Sequence, residues 1–299
     1  MSVCIPIFNR DVRSFVNGLC VEIERFQLSV DICLIDDGSL ESYRLMNREI
    51  DSSLVFYEEL KENIGRARIR NLFLKKTNSP ILLYVDCDSE VYKEDFLRTY
   101  LFCFDDASCK IIYGGRKYPE DYRKDQKLEW LYGTRRIDRS ATVRSKEGNH
   151  AFLSNNFAAR REVILQVPFD ESISRYGYED MLFQFQLSLH GVEVYHVDNP
   201  VLNTELDTNE QVLDKMEQAT ITLGEILSTS SGTRMRKNMK LLKYFDRLNQ
   251  ALPYVVPSVI ARFFSPVVRF FLLRYPNLLW MDLYKLVLLY HNKIATPNK

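Results

Sequence analysis

Short apolar runs alternate along the chain with longer stretches in which apolar residues recur every three or four positions. Ser2–Phe8 and Val30–Asp36 predict buried strands. Between them Phe15, Leu19, Ile23 and Phe26 fall on one face of a helix over Ser14–Phe26. Ser53–Tyr57 predicts a third strand. Asn63–Lys75, where Ala67, Ile69, Leu72 and Phe73 lie among basic residues, predicts a helix, and Pro80–Val85 a fourth strand that stops at acidic residues. Alternation at these lengths indicates an α/β fold with a mainly parallel sheet, and such sheets bind ligands at the carboxyl ends of their strands. Polar clusters fall at those ends. Asn9 follows the first strand, Asp36-Asp37-Gly38-Ser39 closes the second, and Asp86-Cys87-Asp88 closes the fourth. Further on, Leu182, Phe183, Phe185, Leu187 and Leu189 predict a helix that begins beside Glu179 and Asp180. A last helical pattern, from Glu210 to Ser228, precedes Ser228–Gly232, which reads as a linker. The predicted division is a domain over residues 1–209 and a helical extension over 210–299.

Composition narrows this picture. A chain of 299 residues, 46% hydrophobic and 27% charged, has enough apolar surface for a full core. The six cysteines show neither paired spacing nor clustering with the four histidines, so a zinc module or a disulfide framework is not expected, and a reduced, cytoplasmic setting fits. The opening segment lacks a basic stretch followed by a long apolar one, so no cleaved leader is expected. The net charge of zero hides a division: residues 1–233 carry 28 Lys and Arg against 38 Asp and Glu, and residues 234–299 carry 12 against 2. The most lipophilic region, Leu248–Tyr290, is interrupted by Pro253, Pro257, Pro266 and Pro276 and by charged residues, leaving no uncharged run of about 20 residues to span a bilayer. Its basic and aromatic residues suit either an interfacial segment on an anionic membrane or a helical subdomain packed on the core or a partner. No nucleic-acid module accompanies the basic stretch, and none is expected to bind.

Candidate chemistry lies in the polar clusters. Asp86 and Asp88 follow an apolar strand and can face one cation together; oxygen ligands suit Mg²⁺ or Mn²⁺, which complete their shells with substrate phosphates. A solvated acidic turn has the same spelling. Asp37 can accept hydrogen bonds from a nucleobase or ribose, or simply make an Asp-Gly-Ser turn. Glu179 and Asp180 can supply a general base or favour a helix N-terminus by charge alone. His196 alone reads as a structural histidine. Gly65 followed by Arg66 and Arg70 can steady a diphosphate, or present a solvated basic face. The fingerprints of P-loop and dinucleotide sites are absent, against an ATPase or dehydrogenase.

Taken in order, Cys4-Ile5-Pro6-Ile7-Phe8-Asn9, Asp36-Asp37-Gly38-Ser39, Glu62-Asn63-Ile64-Gly65 with Ala67, Arg68 and Asn71, Asp86-Cys87-Asp88, and Gly177-Tyr178-Glu179-Asp180 resemble the family-2 glycosyltransferases of the GT-A fold over residues 2–205. The last segment also resembles chondroitin-polymerase-type and galactosyltransferase-type enzymes, although Tyr176 stands where relatives often have tryptophan. The resemblance implies a Rossmann-like GT-A domain and an inverting, metal-dependent transfer of a hexose or N-acetylhexosamine from a UDP-sugar to a glycan or lipid-linked acceptor. It implies surface polysaccharide synthesis and attachment to the inner face of the plasma membrane. By the same resemblance Pro6, Phe8, Asn9, Asp37, Asn63, Arg66, Arg70 and Asp86 hold the donor. Asp88, with Asp86 and His196, holds Mn²⁺ or Mg²⁺, Asp180 is the catalytic base, and Glu179 shapes the acceptor site. Asn155 and Asn156 are further candidates for donor contacts. Two alternatives stay open from the residues: a phosphatase of the haloacid-dehalogenase type, which also places Asp-x-Asp after a strand, and a non-catalytic carbohydrate-binding protein.

Overall fold

The computed structural model describes residues 1–173, 175–251 and 255–292. Pro253, one of the interruptions named above, lies outside them. Ten strands are described: β1 (Ser2–Ile7), β2 (Asp31–Asp36), β3 (Val55–Glu59), β4 (Ile81–Val85), β5 (Ser89–Val91), β6 (Ile111–Tyr113), β7 (Arg116–Lys117), β8 (Asn156–Arg160), β9 (Tyr195–His196) and β10 (Val201–Asn203). They form a seven-stranded sheet of order β3-β2-β1-β4-β8-β6-β9 and a three-stranded sheet of order β5-β10-β7. In the larger sheet β3, β2, β1 and β4 run parallel, with Ile7 opposite Asp36 and Asp36 opposite Glu59. The strand β8 runs against both β4 and β6.

The fold class expected from the sequence, α/β with C-terminal helices, is the one observed. The strand β1 is apolar from Val3 to Ile7 because both faces of the sheet are covered. Val3, Ile5 and Ile7 point to one side, where Phe15, Leu19 and Ile23 of the helix Arg13–Phe26 meet Phe96 and Tyr100 of the helix Phe96–Cys103. Cys4, with Cys33, Ile35 and Tyr84, points to the other. There it meets Ala67, Ile69 and Phe73 of the helix Arg66–Lys76 and Phe183 and Leu187 of the helix Glu179–Leu189.

Two expectations are corrected. The helix predicted from Asn63 starts at Arg66, because Gly65 at φ +88° turns the chain into it. Ser228–Gly232 is not a linker. A second helix, Ser230–Arg236, begins within it, capped by Thr229, whose side-chain oxygen accepts from the Gly232 N–H at 3.1 Å. At Gly232 a Cβ would lie 1.9 Å from the Ile226 carbonyl oxygen, so this glycine is what lets the two helices join so closely.

By internal contacts the chain divides into two compact units. One comprises residues 1–119, 136–174 and 179–205 and contains both sheets. The other comprises residues 120–135, 175–178 and 206–299. Its described helices include Lys127–Tyr132, Asn209–Leu227, Lys240–Ala251, Val255–Arg274 and Leu278–His291. Leu128, Leu213, Met216, Val268, Leu272, Tyr284 and Leu288 form its core. A cavity of about 780 Å³ in this unit is bordered by Lys124, Lys127, Arg274, Tyr275 and Trp280, with Asp125 and Glu210 also on its wall. Among the described residues no helix is long and apolar enough to cross a membrane.

Candidate active site

Parallel pairing sets the ends of β1, β2 and β4 along one edge of the first unit, and loops from that edge carry most of the residues singled out above. The first loop begins at Asn9, at φ +51°. Its N–H donates to Ser39 Oγ at 2.8 Å, and its side-chain oxygen accepts from the Leu40 N–H at 2.8 Å. Asn9 therefore ties the end of β1 to the turn after β2. Pro6 is half-buried in β1, and Phe8 is 49% exposed. Asp36 is fully buried and accepts from the Ser39 N–H at 2.7 Å.

Asp37 is turned onto the third loop. One carboxylate oxygen accepts from the Ile64 N–H at 2.7 Å, the other from the Gly65 N–H at 3.3 Å. Burial pushes its carboxyl above the ordinary range, and the two backbone donors pull it back in part. Gly38, at φ +79°, completes the fit, since a Cβ there would lie 2.7 Å from the Asn63 backbone nitrogen. Asn63 itself is exposed.

Gly65 leads into Arg66 and Arg70, one helical turn apart and so on one face. Arg66 lies 3.3 Å from Asp86 Oδ2 and 3.1 Å from Glu179 Oε1. Arg70 is 1% exposed, donates to Asp86 Oδ1 at 3.0 Å, and lies 3.8 Å from Glu179. The Phe169 ring and the Tyr84 hydroxyl fix Arg70 further: its guanidinium stands over the ring, 5.4 Å from its centre, and its carbonyl accepts from Tyr84 at 3.2 Å. One helix turn and two distant segments thus make one charge cluster of two arginines and two carboxylates.

Asp180 follows Glu179 in the first turn of its helix and is partly buried. Its carboxyl is pushed up to about 6, first by burial, then by Glu179; Arg66 and Arg70 and the Met181 N–H work the other way. The preceding Tyr176 and Gly177 belong to the second unit. There Tyr176 carries Lys215 5.6 Å from its ring centre and accepts at its carbonyl from Thr222 at 2.9 Å. Gly177, at φ +106°, faces Ala219, whose Cβ would be 2.5 Å from an added Cβ.

Asp88 differs from Asp86. Its Oδ2 accepts from Arg116 at 3.2 Å, while its Oδ1 is buried and has no hydrogen-bond partner. A buried carboxylate oxygen left unsatisfied carries a large desolvation penalty, and a divalent cation would relieve it. Among the described residues no three His, Cys, Asp or Glu side chains converge as a metal cage. A site of one or two carboxylates accords with Mg²⁺ or Mn²⁺ that takes most ligands from water and substrate phosphate. Burial, then Asp88, pushes the Cys87 thiol up to about 12, so it stays protonated between the two acids and is a poor ligand.

His196 is held elsewhere in the unit. Its Nε2 lies 2.9 Å from the Gly148 carbonyl and its Nδ1 3.2 Å from Arg144. Burial lowers its affinity for a proton, and Arg144 adds to the effect. Both ring nitrogens are engaged, so binding a cation would mean breaking one bond and adding positive charge beside a buried guanidinium. Asn156 is fully committed as well: it donates to the Gly115 and Asn199 carbonyls and accepts from Tyr100 at 2.7 Å. Asn155 accepts from Tyr113 at 3.4 Å, and its buried amide nitrogen has no partner. The backbone carbonyl of Asn155 accepts from the Asp86 N–H at 2.9 Å, which fixes the start of the acidic loop.

Two arginines escaped the reading of the sequence. Arg116 reaches Asp88 from β7, a strand too short to give a periodic signal. Arg144 is 2% exposed and donates to the carbonyls of Tyr113, Gly114, Arg139 and Val197. An isolated arginine in a polar stretch gives no sign of such burial.

The sheet order and the acidic edge together define an α/β protein with the GT-A fold. A family model described as Glycosyl transferase family 2 matches residues 2–167, and the chain belongs to that family. Among solved structures it is similar to the mannosyltransferase PcManGT from Pyrobaculum calidifontis, described in complex with GDP-Man and Mn²⁺. The identity is 13%, with 97% of this chain and 84% of that one covered at a TM-score of 0.61. It is also similar to residues 1–349 of TarS from S. aureus in complex with UDP-GlcNAc, at 15% identity, 99% and 93% coverage and a TM-score of 0.50. At these identities the likeness is one of fold. No curated protein matches the sequence.

Proposed function

We propose that the chain moves a hexose or N-acetylhexosamine from a UDP-sugar to a hydroxyl of a glycan or lipid-linked glycan, with inversion at the anomeric carbon. We assign it to surface polysaccharide synthesis at the anionic inner face of the plasma membrane. The observation that carries the chemical reading is the orphaned, buried Oδ1 of Asp88 on the edge that also bears the Arg66–Arg70–Asp86–Glu179 cluster. That edge offers a cation-binding oxygen and arginines for a diphosphate, with a carboxylate of raised pKa at Asp180.

In this reading residues 1–209 carry the transfer chemistry and 210–299 an accessory role. Pro6, Phe8, Asn9, Asp37 and Asn63 border the base and ribose, with Asp37 acting largely through the turn it holds. Asp86, neutralised by Arg66 and Arg70, faces the donor. Asp88 is the first metal ligand, with Asp86 beside it, and His196 joins that set only by giving up its bond to Gly148. A bound Mn²⁺ or Mg²⁺ would supply charge neutralisation at the departing diphosphate. Arg66 and Arg70 add positive charge at the same place. Asp180 takes the proton of the acceptor hydroxyl as that oxygen attacks from the face opposite the leaving group, and Glu179 orients the acceptor. A base whose pKa lies near the working pH is effective in this task.

The family assignment removes the motive for the phosphatase alternative, which rested on Asp-x-Asp alone. The test is release of UDP from a panel of UDP-sugars with Mn²⁺, with and without EDTA. Selective, metal-dependent release that Asp88→Ala abolishes supports the reading. Absence of release together with absence of nucleotide binding overturns it. Release from GDP-mannose and not from any UDP-sugar would overturn the donor assignment and keep the chemistry.

A further inference from the structure

The helix Val255–Arg274 is arranged with its large side chains outward. Its buried stripe consists of Ala261, Ser265, Val268 and Leu272. Val259, Ile260, Phe263, Phe264, Val267 and Phe270 are exposed, Phe263 at 72% and Phe270 at 64%. The face continues through Phe271 and Tyr275 to Leu279, 78% exposed, and Trp280, whose ring stacks on Phe271 at 5.9 Å between centres. A contiguous aromatic surface of this kind is uncommon on a soluble protein and marks a docking face.

We propose that this face rests on an anionic lipid bilayer. The proposal deepens the membrane part of the function above and rests on it for its purpose. Three features select lipid as the occupant. The helix contains no acidic residue and three arginines. Arg269 is used inside the unit, paired with Asp214 and Glu217, but Arg262 and Arg274 are exposed beside the aromatic face. Lys124 and Lys127 stand with Arg274 around the cavity at the end of the same helix. Second, Trp280 and Tyr275 lie where the helix ends, and such rings favour the headgroup level of a bilayer. Third, no helix among the described residues can span, so an in-plane amphipathic helix is the available mode of contact. A second copy on the same face would bring arginines from both chains together, with no carboxylate on this helix to answer them. Lipid phosphates answer them, while the arginine stems can lie along the apolar zone.

The test uses the full chain and sedimentation with vesicles of phosphatidylcholine alone or in equal mixture with phosphatidylglycerol. The wild type is expected to pellet with the anionic vesicles at low salt and to be released at high salt. The combined Phe263→Ser, Phe264→Ser and Phe270→Ser variant should bind at least about tenfold more weakly, and Arg262→Gln with Arg274→Gln should lose the preference for anionic lipid. Only two tryptophans are present, so Trp280 emission in a Trp130→Phe background should be quenched by brominated lipid. Failure of the wild type to bind, or wild-type binding by the serine variant, would overturn the proposal. So would a dimer in analytical ultracentrifugation that the serine variant converts to monomer without changing vesicle binding, which would assign the face to a second copy. UDP release in vesicle-free solution reads the transfer chemistry separately: docking without release sinks only the transferase reading, and release without docking sinks this proposal and the membrane location while leaving the transfer chemistry standing.

Discussion

At the scale of single residues the two acids just past β4 and the two that open the helix Glu179–Leu189 are chemically unlike, although the members of each pair lie within two positions of each other in the chain. Asp86 is held by two arginines, Asp88 keeps one buried oxygen unmatched, and Asp180 is shifted upward by burial and by Glu179. Asp180→Asn is expected to lower turnover by about 10²–10⁴-fold while leaving nucleotide-sugar affinity near wild type, measured by single-turnover kinetics beside equilibrium binding. Wild-type turnover should rise as pH increases through about 6, where Asp180 loses its proton, and level off above it. The same shift has a stability consequence. A carboxyl whose folded pKa is raised favours the fold while protonated, and that contribution is lost as pH rises from its unfolded value through about 6. Asp180→Asn should therefore melt higher than wild type at pH 7.5 and equal to it near pH 3.5; a lower melting point at both would contradict the burial argument. Asp88→Ala should remove the metal dependence of donor binding, so that titration of nucleotide-sugar gives the same affinity with Mn²⁺ and with EDTA.

At the scale of elements, several helices are held by side chains from outside their own sequence. The helix Phe96–Cys103 has no capping side chain at Asp95. Glu22, from the helix Arg13–Phe26, accepts from the Leu97 and Arg98 N–H groups at 2.8 and 3.1 Å. Its carboxyl is raised to about 7, mainly by burial. Glu22→Gln keeps an acceptor and removes the buried charge, and should stabilise at pH 8 but not at pH 4. Glu22→Ala loses the cap and should cost roughly 0.5–2 kcal/mol at pH 4, read by denaturant unfolding. The period of apolar residues announced the four parallel strands β1 to β4 and the helices Arg13–Phe26, Arg66–Lys76, Glu179–Leu189 and Asn209–Leu227, because each buries a face along its length. It did not announce β5 to β10. All but β8 have two or three residues, too short to carry a period, and β8, Asn156–Arg160, pairs with both β4 and β6, so neighbours decide their pairing. Nor did it find the start of Ser230–Arg236, where a serine-rich segment is helical because Thr229 caps it and Gly232 permits close approach.

At the scale of the molecule, the sequence suggested a division after residue 209, whereas internal contacts group residues 120–135 with 206–299. Leu128 is fully buried with Leu213, Val268 and Tyr284, and its N–H donates to Asn209 at 2.8 Å. A chain truncated after residue 209 should therefore expose residues 120–135, seen as early protease cleavage there and a broadened melt. A single sharp melt with that segment protected would argue for independence of the first 209 residues. What the sequence determined by itself was the α/β alternation, the strand ends that carry polar residues, and the acidic pairs, because these follow from local periodicity and from short spacings along the chain. Tertiary structure decided the charge state and partners of those acids. Arg66 and Arg70 reach Asp86 and Glu179 across gaps of 16 to 113 positions, Arg116 reaches Asp88, and Arg144 occupies His196, and only folding sets such distances. It also decided which side of the helix Val255–Arg274 faces outward, since its phenylalanines would suit a core equally well until Ala261, Ser265, Val268 and Leu272 fill the inward stripe.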